Sequence, residues 1–387
     1  MSTTAAYAIT SHDIEAERRR AGGDPAKMDL SRIIVLRQRE LPALGRRDVK
    51  LKILAVSAEH NVSHAAAADI VDIVASHGGV MYPGNSAVAE VLEVGPDVTA
   101  FKPGEIVATH CNAQPDRAGY PITIWAFDAP GSIGWYCREA IVGDWQLIHL
   151  PLDRSLSLWE LAALPLRAPT AYHLWRRALG IYRVKVPREK RARLNVLSFG
   201  GGVGELFSML AKAEGHAAYF CGNNSSRLAA LADQGIAPID QKPFHRFAHA
   251  EDVRSFRARC RELTEGEGMH IVCDMLRGPV FQAGLAAAAR EGTNVSAGWQ
   301  LSREVTYNSA RLSISQVTLD HSHYETIEGC LAATELYGRV FRPIIHDEVY
   351  PFEALPRCFE EMKQGKQTGI PIVRVADELP AIVQPLV

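Results

Sequence analysis

The chain's most specific chemical signal is Leu197-Ser198-Phe199-Gly200-Gly201-Gly202-Val203-Gly204, an apolar strand that breaks into glycines and then opens a helix. Glycines let the backbone approach a pyrophosphate, while the helix start offers unpaired N–H groups and a favourable dipole. Gly200, Gly201, Gly202, Val203 and Gly204 are therefore expected to hold a dinucleotide. The alternative is a tight strand-to-helix turn with no ligand. Counted back from Gly204 and Gly201, the first glycine of the G-x-G-x-x-G spacing is replaced by Phe199. A second strand ends at Gly222-Asn223-Asn224-Ser225-Ser226-Arg227, where a site selective for NAD places a carboxylate to accept from the ribose hydroxyls. None is present. Asn223, Ser225, Ser226 and Arg227 suit a 2′-phosphate, which a guanidinium engages bidentately, so NADPH is expected over NADH. Arg227 as a solvated first-turn residue is the other reading.

Positioning this turn requires alternating strands and helices. Strands are expected at Leu194 to Phe199, Ala217 to Cys221, His270 to Asp274, Thr293 to Ala297 and Val317 to Leu319. Helices are expected at Glu205 to Glu214, Ser226 to Gln234, Arg254 to Leu263 and Val280 to Ala289. Such alternation implies a parallel sheet covered on both faces. Before it, Ser31 to Leu36 and Val49 to Val56 read as strands after a polar helix at 11 to 21. Closely spaced turn residues between Asn85 and Val107 indicate a mostly antiparallel β unit. Trp159 to Leu164 and Ala171 to Leu179 read as separate helices, Arg188 to Arg193 as a basic surface loop, Thr326 to Tyr337 as a helix and Ile372 to Val375 as β.

A chain of 387 residues exceeds what one core usually serves. Its net charge of −2 gives no reason to expect nucleic acid or an anionic membrane as partner. The seven cysteines form no close pair, which points to a reducing compartment. The first 30 residues show no signal-peptide-like apolar core, and no apolar run approaches a membrane span, so a cytoplasmic protein is expected.

Gly84-Asn85-Ser86-Ala87-Val88-Ala89-Glu90-Val91-Leu92-Glu93-Val94-Gly95, then Phe101-Lys102-Pro103-Gly104-Glu105-Ile106-Val107, then the glycine turn, resemble the medium-chain dehydrogenase/reductase superfamily. Within it, Asp24-Pro25-Ala26-Lys27-Met28, His110-Cys111-Asn112, Ile124-Trp125-Ala126-Phe127-Asp128, Pro169-Thr170-Ala171-Tyr172 and Arg261-Glu262-Leu263-Thr264-Glu265-Gly266-Glu267 are most similar to the crotonyl-CoA carboxylase/reductase branch. The resemblance implies an α/β protein: a Rossmann doubly wound parallel sheet at 173–324, plus a mostly antiparallel β, GroES-like catalytic domain split between 1–172 and 325–387, with the active site in the cleft between them. It implies a homodimer through the last Rossmann strand, and places Thr170 and Ala297 among the cofactor-binding residues. Zinc-dependent members carry His-Glu after the glycine matching Gly84, where this chain has Asn85-Ser86. The four close cysteines of their structural site are also missing, so a zinc-independent enzyme with no metal is expected.

The resemblance also marks the catalytic candidates. Glu59, in Glu59-His60-Asn61, falls where carboxylating relatives carry asparagine; a carboxylate there would disfavour carbon dioxide and could act as a base or grip substrate, or Glu59 is a rim residue. Asp128 follows an aromatic residue where those relatives have glutamate, and a turn-forming aspartate beside Pro130-Gly131 is its alternative. A substrate-contacting histidine of the relatives falls on Asp320 in a gapless count and on His321 after a one-residue shift. His321 and His323 are proton-donor candidates near neutral pH. Basic residues holding the CoA phosphates in that branch correspond to Tyr307 to Gln316, which offers only Arg311. The expected function is NADPH-dependent reduction of an α,β-unsaturated carbonyl compound or enoyl thioester without carboxylation. The alternatives are a reductive carboxylase of enoyl-CoA, a carbonyl reductase or alcohol dehydrogenase, and a nucleotide-binding protein that has lost catalysis.

Overall fold

A computed structural model describes residues 2–68, 72–152, 155–190 and 193–387. The chain divides into two compact units, one of Met1–Leu166, Tyr324–Gly338 and Ile345–Val387, the other of Arg167–His323 and Arg339–Ile344. Part of the expected basic loop, residues 191 and 192, lies outside the described residues.

The second unit is built on a six-stranded parallel sheet. Its spatial order is Ala237–Asp240, Ala217–Gly222, Asn195–Phe199, Met269–Asp274, Ala288–Ser296, Thr318–His321. Taken in chain order this is 3-2-1-4-5-6, the doubly wound arrangement in which ligands gather at the carboxyl ends of the strands where the order reverses. Strand Ala237–Asp240 is absent from the expected set because Pro238 removes a ladder donor. The sheet tolerates it because this strand lies at an edge. Under one face sit Phe199, Phe244, Phe247 and Phe256, with Leu197, Val272 and Ala283. Phe199 is fully buried, its ring 5.8 Å from that of Phe256 and 6.1 Å from that of Phe247.

The first unit holds the antiparallel sheet. Strand Asp48–Ser57 is its hub, pairing Ala87–Val94, Glu139–Gly143 and Ile370–Arg374, and Ile345–Pro351 adds a parallel edge. A smaller sheet pairs Thr3–Thr10 with Val35–Glu40 and Val80–Met81.

The two helices expected around Pro165 and Pro169 are one, Leu158–Lys185. The sequence boundary expected after residue 172 thus falls inside a helix. Proline at 169 supplies no N–H to the carbonyl four residues earlier, which ordinarily breaks a helix. Here the Tyr324 hydroxyl donates to the Pro165 carbonyl at 3.0 Å, replacing the missing donor.

Candidate functional site

The glycine turn follows directly on strand Asn195–Phe199 and leads into helix Val203–Ala213. Gly200 and Gly202 adopt φ +86° and +73°, a region side chains avoid. A Cβ on Gly204 would sit 2.8 Å from the Phe199 carbonyl oxygen, so this glycine lets the helix close on the strand. A Cβ on Gly202 would fall 2.8 Å from Arg167 Nε. Gly201 is exposed, leaving bare backbone at the helix entrance. Phe199 does not disturb this geometry, because its side chain belongs to the core and Gly200 makes the sharp bend.

The residues around the turn include a carboxylate that the dinucleotide motif does not mark. Glu205, at the third helical position, is completely buried and lies 2.8 Å from Arg227 Nε. Their contact is an ion pair without an aligned hydrogen bond. Burial pushes the Glu205 carboxyl up, while Arg227, the Gly202 N–H and Arg167 draw it down. A glutamate three residues after a helix start is a capping signal, and that pattern is the one by which sequence could flag it.

At the end of the neighbouring strand, Asn224 caps helix Ser225–Asp233 by accepting from the Arg227 N–H at 2.9 Å. Asn223, Ser225 and Ser226 remain exposed. Lys242, just beyond the next strand, donates to Ser225 Oγ at 3.0 Å and adds a second cation. The absence of a carboxylate at 222–227 and this pair of cations suit a phosphate monoester. Ala297 follows strand Ala288–Ser296, and a Cβ on the adjacent Gly298 would fall 2.4 Å from the Met275 carbonyl oxygen. Thr170 lies within helix Leu158–Lys185, 5% exposed.

Asp320 and His321 end the edge strand and turn to different partners. Arg177 grips Asp320 as a fork, Nε to Oδ2 at 2.7 Å and Nη2 to Oδ1 at 2.5 Å. That commitment removes Asp320 as a free proton carrier and leaves His321, whose Nδ1 is 2.8 Å from Arg277 Nη2.

In the first unit, Glu59 is 3% exposed, which rules out the rim alternative. Its Oε1 accepts from Ser57 Oγ at 2.7 Å and its Oε2 from the Tyr136 hydroxyl at 3.1 Å. Asn61 Nδ2 donates to Asn85 Oδ1, and Asn85 Nδ2 to the Trp125 carbonyl, at 2.8 and 2.6 Å. The position after Gly84 is thus occupied by an amide that ties helix His60–Ala67 to the turn at Trp125. Asp128 Oδ1 accepts from the Ile124 N–H at 2.5 Å, the turn-forming role. Replacing Glu59 by alanine removes one acceptor from Ser57 Oγ and leaves the Tyr136 hydroxyl only the Ser57 carbonyl, at 3.0 Å. It is expected to cost about 1–3 kcal/mol, read as a lower melting temperature, with Glu59→Gln losing less.

His110 is buried, its ring edge-on to Tyr324 with centroids 5.7 Å apart. Neither ring nitrogen has a hydrogen-bond partner among the described residues. Burial lowers its pKa from 6.5 to about 4. Between these values the unfolded chain binds the proton and the folded chain does not, so stability rises with pH across this window and falls on acidification. The full effect is ~3 kcal/mol as an upper bound. His110→Leu should flatten the slope of denaturant-derived stability between pH 6.5 and 4.

Among the described residues no group of three or more His, Cys, Asp or Glu could hold a metal ion, and no helix is long and apolar enough to cross a membrane. A cleft of about 470 Å³ in the second unit brings Arg311 together with Arg257, Arg261 and Arg290. Sequence order points to Arg311 alone, since these arginines come from three separate segments.

Comparison with known proteins agrees with this architecture. Residues 45–152 match the alcohol dehydrogenase GroES-like domain. Crotonyl-CoA reductase of Streptomyces collinus is 27% identical over 372 residues, 86% of this chain and 79% of that protein. Residues 45–152 thus carry the alcohol dehydrogenase GroES-like domain, and the chain as a whole is similar to medium-chain dehydrogenases/reductases. It also matches cinnamyl alcohol dehydrogenase 5 of Arabidopsis thaliana, 27% identical over 57% of the chain and 62% of that protein. The chain spans only a tenth of the lovastatin diketide synthase lovF of Aspergillus terreus, at 24% identity over 65% of its own length. Among solved structures, a 2-octenoyl-CoA carboxylase reductase, CinF, in complex with NADP and 2-octenoyl-CoA superimposes with a TM-score of 0.80 at 20% identity. That match covers 99% of this chain and 90% of the other. The expected fold class, a doubly wound parallel sheet with an antiparallel GroES-like domain, is the one found.

Proposed function

We propose that this chain is a zinc-independent NADPH-dependent reductase of α,β-unsaturated carbonyl compounds, enoyl thioesters included, acting without carboxylation. The observation that carries the reading is the open glycine turn beside a strand end that offers Asn223, Ser225, Ser226 and Arg227, with Lys242 bonded to Ser225, and that has no carboxylate within residues 222–227. Gly201 leaves bare backbone at the helix entrance for a pyrophosphate, Arg227 and Lys242 would hold the 2′-phosphate, and Thr170 and Ala297 would lie toward the nicotinamide. When bound there, a reduced nicotinamide would supply the hydride for reduction at the β-carbon. The protein must then stabilise the negative charge that develops on the carbonyl oxygen, while solvent protonates the α-carbon.

The non-carboxylating choice is supported by Asp128, held in its own turn, and by the buried carboxyl group at 59, where carboxylating relatives carry asparagine. Relatives named for crotonyl-CoA and 2-octenoyl-CoA support a thioester, and the four-arginine cleft offers charge for a phosphate-bearing carrier. We further propose a homodimer through Thr318–His321, which ends the sheet.

Anaerobic incubation of NADPH with enones and enoyl thioesters tests the reading. Oxidation with at least one class is expected, with no gain from bicarbonate; inertness toward every member would overturn it, and a carboxylated product would reassign it. If CoA esters are used, replacing Arg257 and Arg311 together by alanine should raise KM for them ~10-fold or more while leaving KM for simple thioesters unchanged.

A further inference from the structure

Beside His321 lies a buried turn whose residues belong to no motif in the sequence. Strand Met269–Asp274 ends in Asp274, which is fully buried. Its Oδ1 accepts from the N–H groups of Leu276 and Arg277, both at 2.9 Å, closing a tight turn. The turn drives Arg277 to φ +64°, a conformation that costs a non-glycine residue energy and is retained only where the surroundings enforce it. The side chain is buried as well: 5% of Arg277 is exposed, its guanidinium lies 5.2 Å from the Phe281 ring centroid, and Nη1 stands 3.9 Å from Asp274 Oδ2.

From that fixed position Arg277 Nη2 meets His321 Nδ1 at 2.8 Å. A guanidinium has donors only and keeps its proton, so His321 Nδ1 must be the acceptor. The imidazole proton is thereby forced onto Nε2. A second proton on Nδ1 would face an N–H of a cation. The groups around the ring agree: Asp320, the neighbouring anion, is held by Arg177, and Asp274 lies behind Arg277. Burial and the Arg277 charge hold the His321 pKa below its ordinary value, against a smaller opposing pull from Asp320. The ring stands at the carboxyl end of its strand, the end of the parallel sheet from which the glycine turn also emerges, its Nδ1 edge covered by Arg277 while the residue as a whole stays open to solvent.

We infer that Arg277 is a positioning residue that holds His321 as a neutral Nε2–H hydrogen-bond donor to the substrate oxygen on which charge develops. His321 is then an electrophile and not the general acid that its sequence position suggests, since a neutral imidazole has no proton to release near neutral pH. The inference rests on the reductase reading for its substrate but not for its tautomer.

The test uses the full chain labelled with ¹⁵N-histidine, the His321 resonances being assigned by their loss in His321→Gln. Wild type is expected to show a neutral Nε2–H tautomer at pH 7 and to take up its second proton at a lower pH than an ordinary imidazole. In Arg277→Met the ring should titrate at a higher pH than in wild type, and Arg277→Lys, which retains a cationic donor, should restore the wild-type state in part. With an accepted enone, Arg277→Met should lower kcat ~10-fold or more and leave KM for NADPH unchanged, and its pH profile should acquire an ionisation at a higher pH than any His321 ionisation of wild type. An Nδ1–H or doubly protonated His321 in wild type at pH 7 would overturn the inference whether or not any substrate is reduced. A flat profile and unaltered kcat in both Arg277 variants would overturn its catalytic half. Failure of all substrates, with the tautomer as expected, would count against the reductase reading alone.

Discussion

Gly202→Ala should abolish measurable binding of NADPH while leaving a folded protein. Gly202 has φ +73° and ψ −93°, outside every basin open to alanine. The added Cβ would also lie 2.8 Å from Arg167 Nε and 2.9 Å from its Cδ. Either the turn reopens toward negative φ, withdrawing the first N–H groups of helix Val203–Ala213, or Arg167 is displaced from beside the buried Glu205. Both outcomes damage a phosphate site, the first by removing its donors and the second by leaving more of the Glu205 charge uncompensated. Strain of this kind is worth ~1–3 kcal/mol, and losing aligned donors to a dianion adds a similar amount, so a weakening of ~100-fold or more is expected. Fluorescence titration of bound NADPH reads this directly. Gly204→Ala provides a comparison with a different cause: its Cβ meets the Phe199 carbonyl oxygen at 2.8 Å, so it should lower the melting temperature as well as the affinity. Undiminished binding in both variants would remove the turn from the cofactor site.

How much of this is visible in the sequence depends on whether the cause is local. The turn is legible because only glycine meets its backbone demands, and the strand and helix on either side are apolar enough to announce themselves. Phe199 looks like a fault in the turn, because spacing alone does not say that its side chain leaves the turn for the aromatic core. Strand Ala237–Asp240 and the unbroken helix Leu158–Lys185 escape prediction for one reason. Proline breaks either element when only its neighbours in sequence are considered, whereas an edge position in one case and the Tyr324 hydroxyl in the other remove the penalty. Site residues follow the same rule. Asn223, Ser225, Ser226 and Arg227 adjoin the strand end in sequence, but Lys242 comes from beyond the next strand, and Arg277 reaches His321 across 44 residues. Glu59 and Asp128 illustrate the converse, since a carboxylate's type is visible whereas its occupation by Ser57, Tyr136 or Ile124 requires the fold.

Cofactor choice is where Arg227 and Glu205 make opposing predictions. Arg227→Ala should weaken NADPH ~10–100-fold and leave NADH nearly unchanged, since a charged hydrogen bond to phosphate is worth about 1.5–3 kcal/mol and NADH has no 2′-phosphate to lose it. The structure adds a competitor. Glu205 holds Arg227 Nε at 2.8 Å without an aligned hydrogen bond, so the guanidinium is retained by charge and remains able to turn its Nη groups outward. Glu205→Gln removes the competing charge at almost constant volume. It should tighten NADPH several-fold and NADH less, because the helix entrance becomes more positive for both while only NADPH gains a released Arg227. The gain should shrink as salt is raised, as expected for a partly exposed cation meeting a dianion. In the double variant Arg227→Ala/Glu205→Gln the NADPH advantage should vanish, and a double-mutant cycle on the two affinities gives the coupling. If Glu205→Gln instead weakened both cofactors equally, Glu205 would be holding the shape of the turn and the ion pair would have no part in selecting the phosphate. Equal weakening of NADH and NADPH by Arg227→Ala would move the 2′-phosphate away from this strand end altogether.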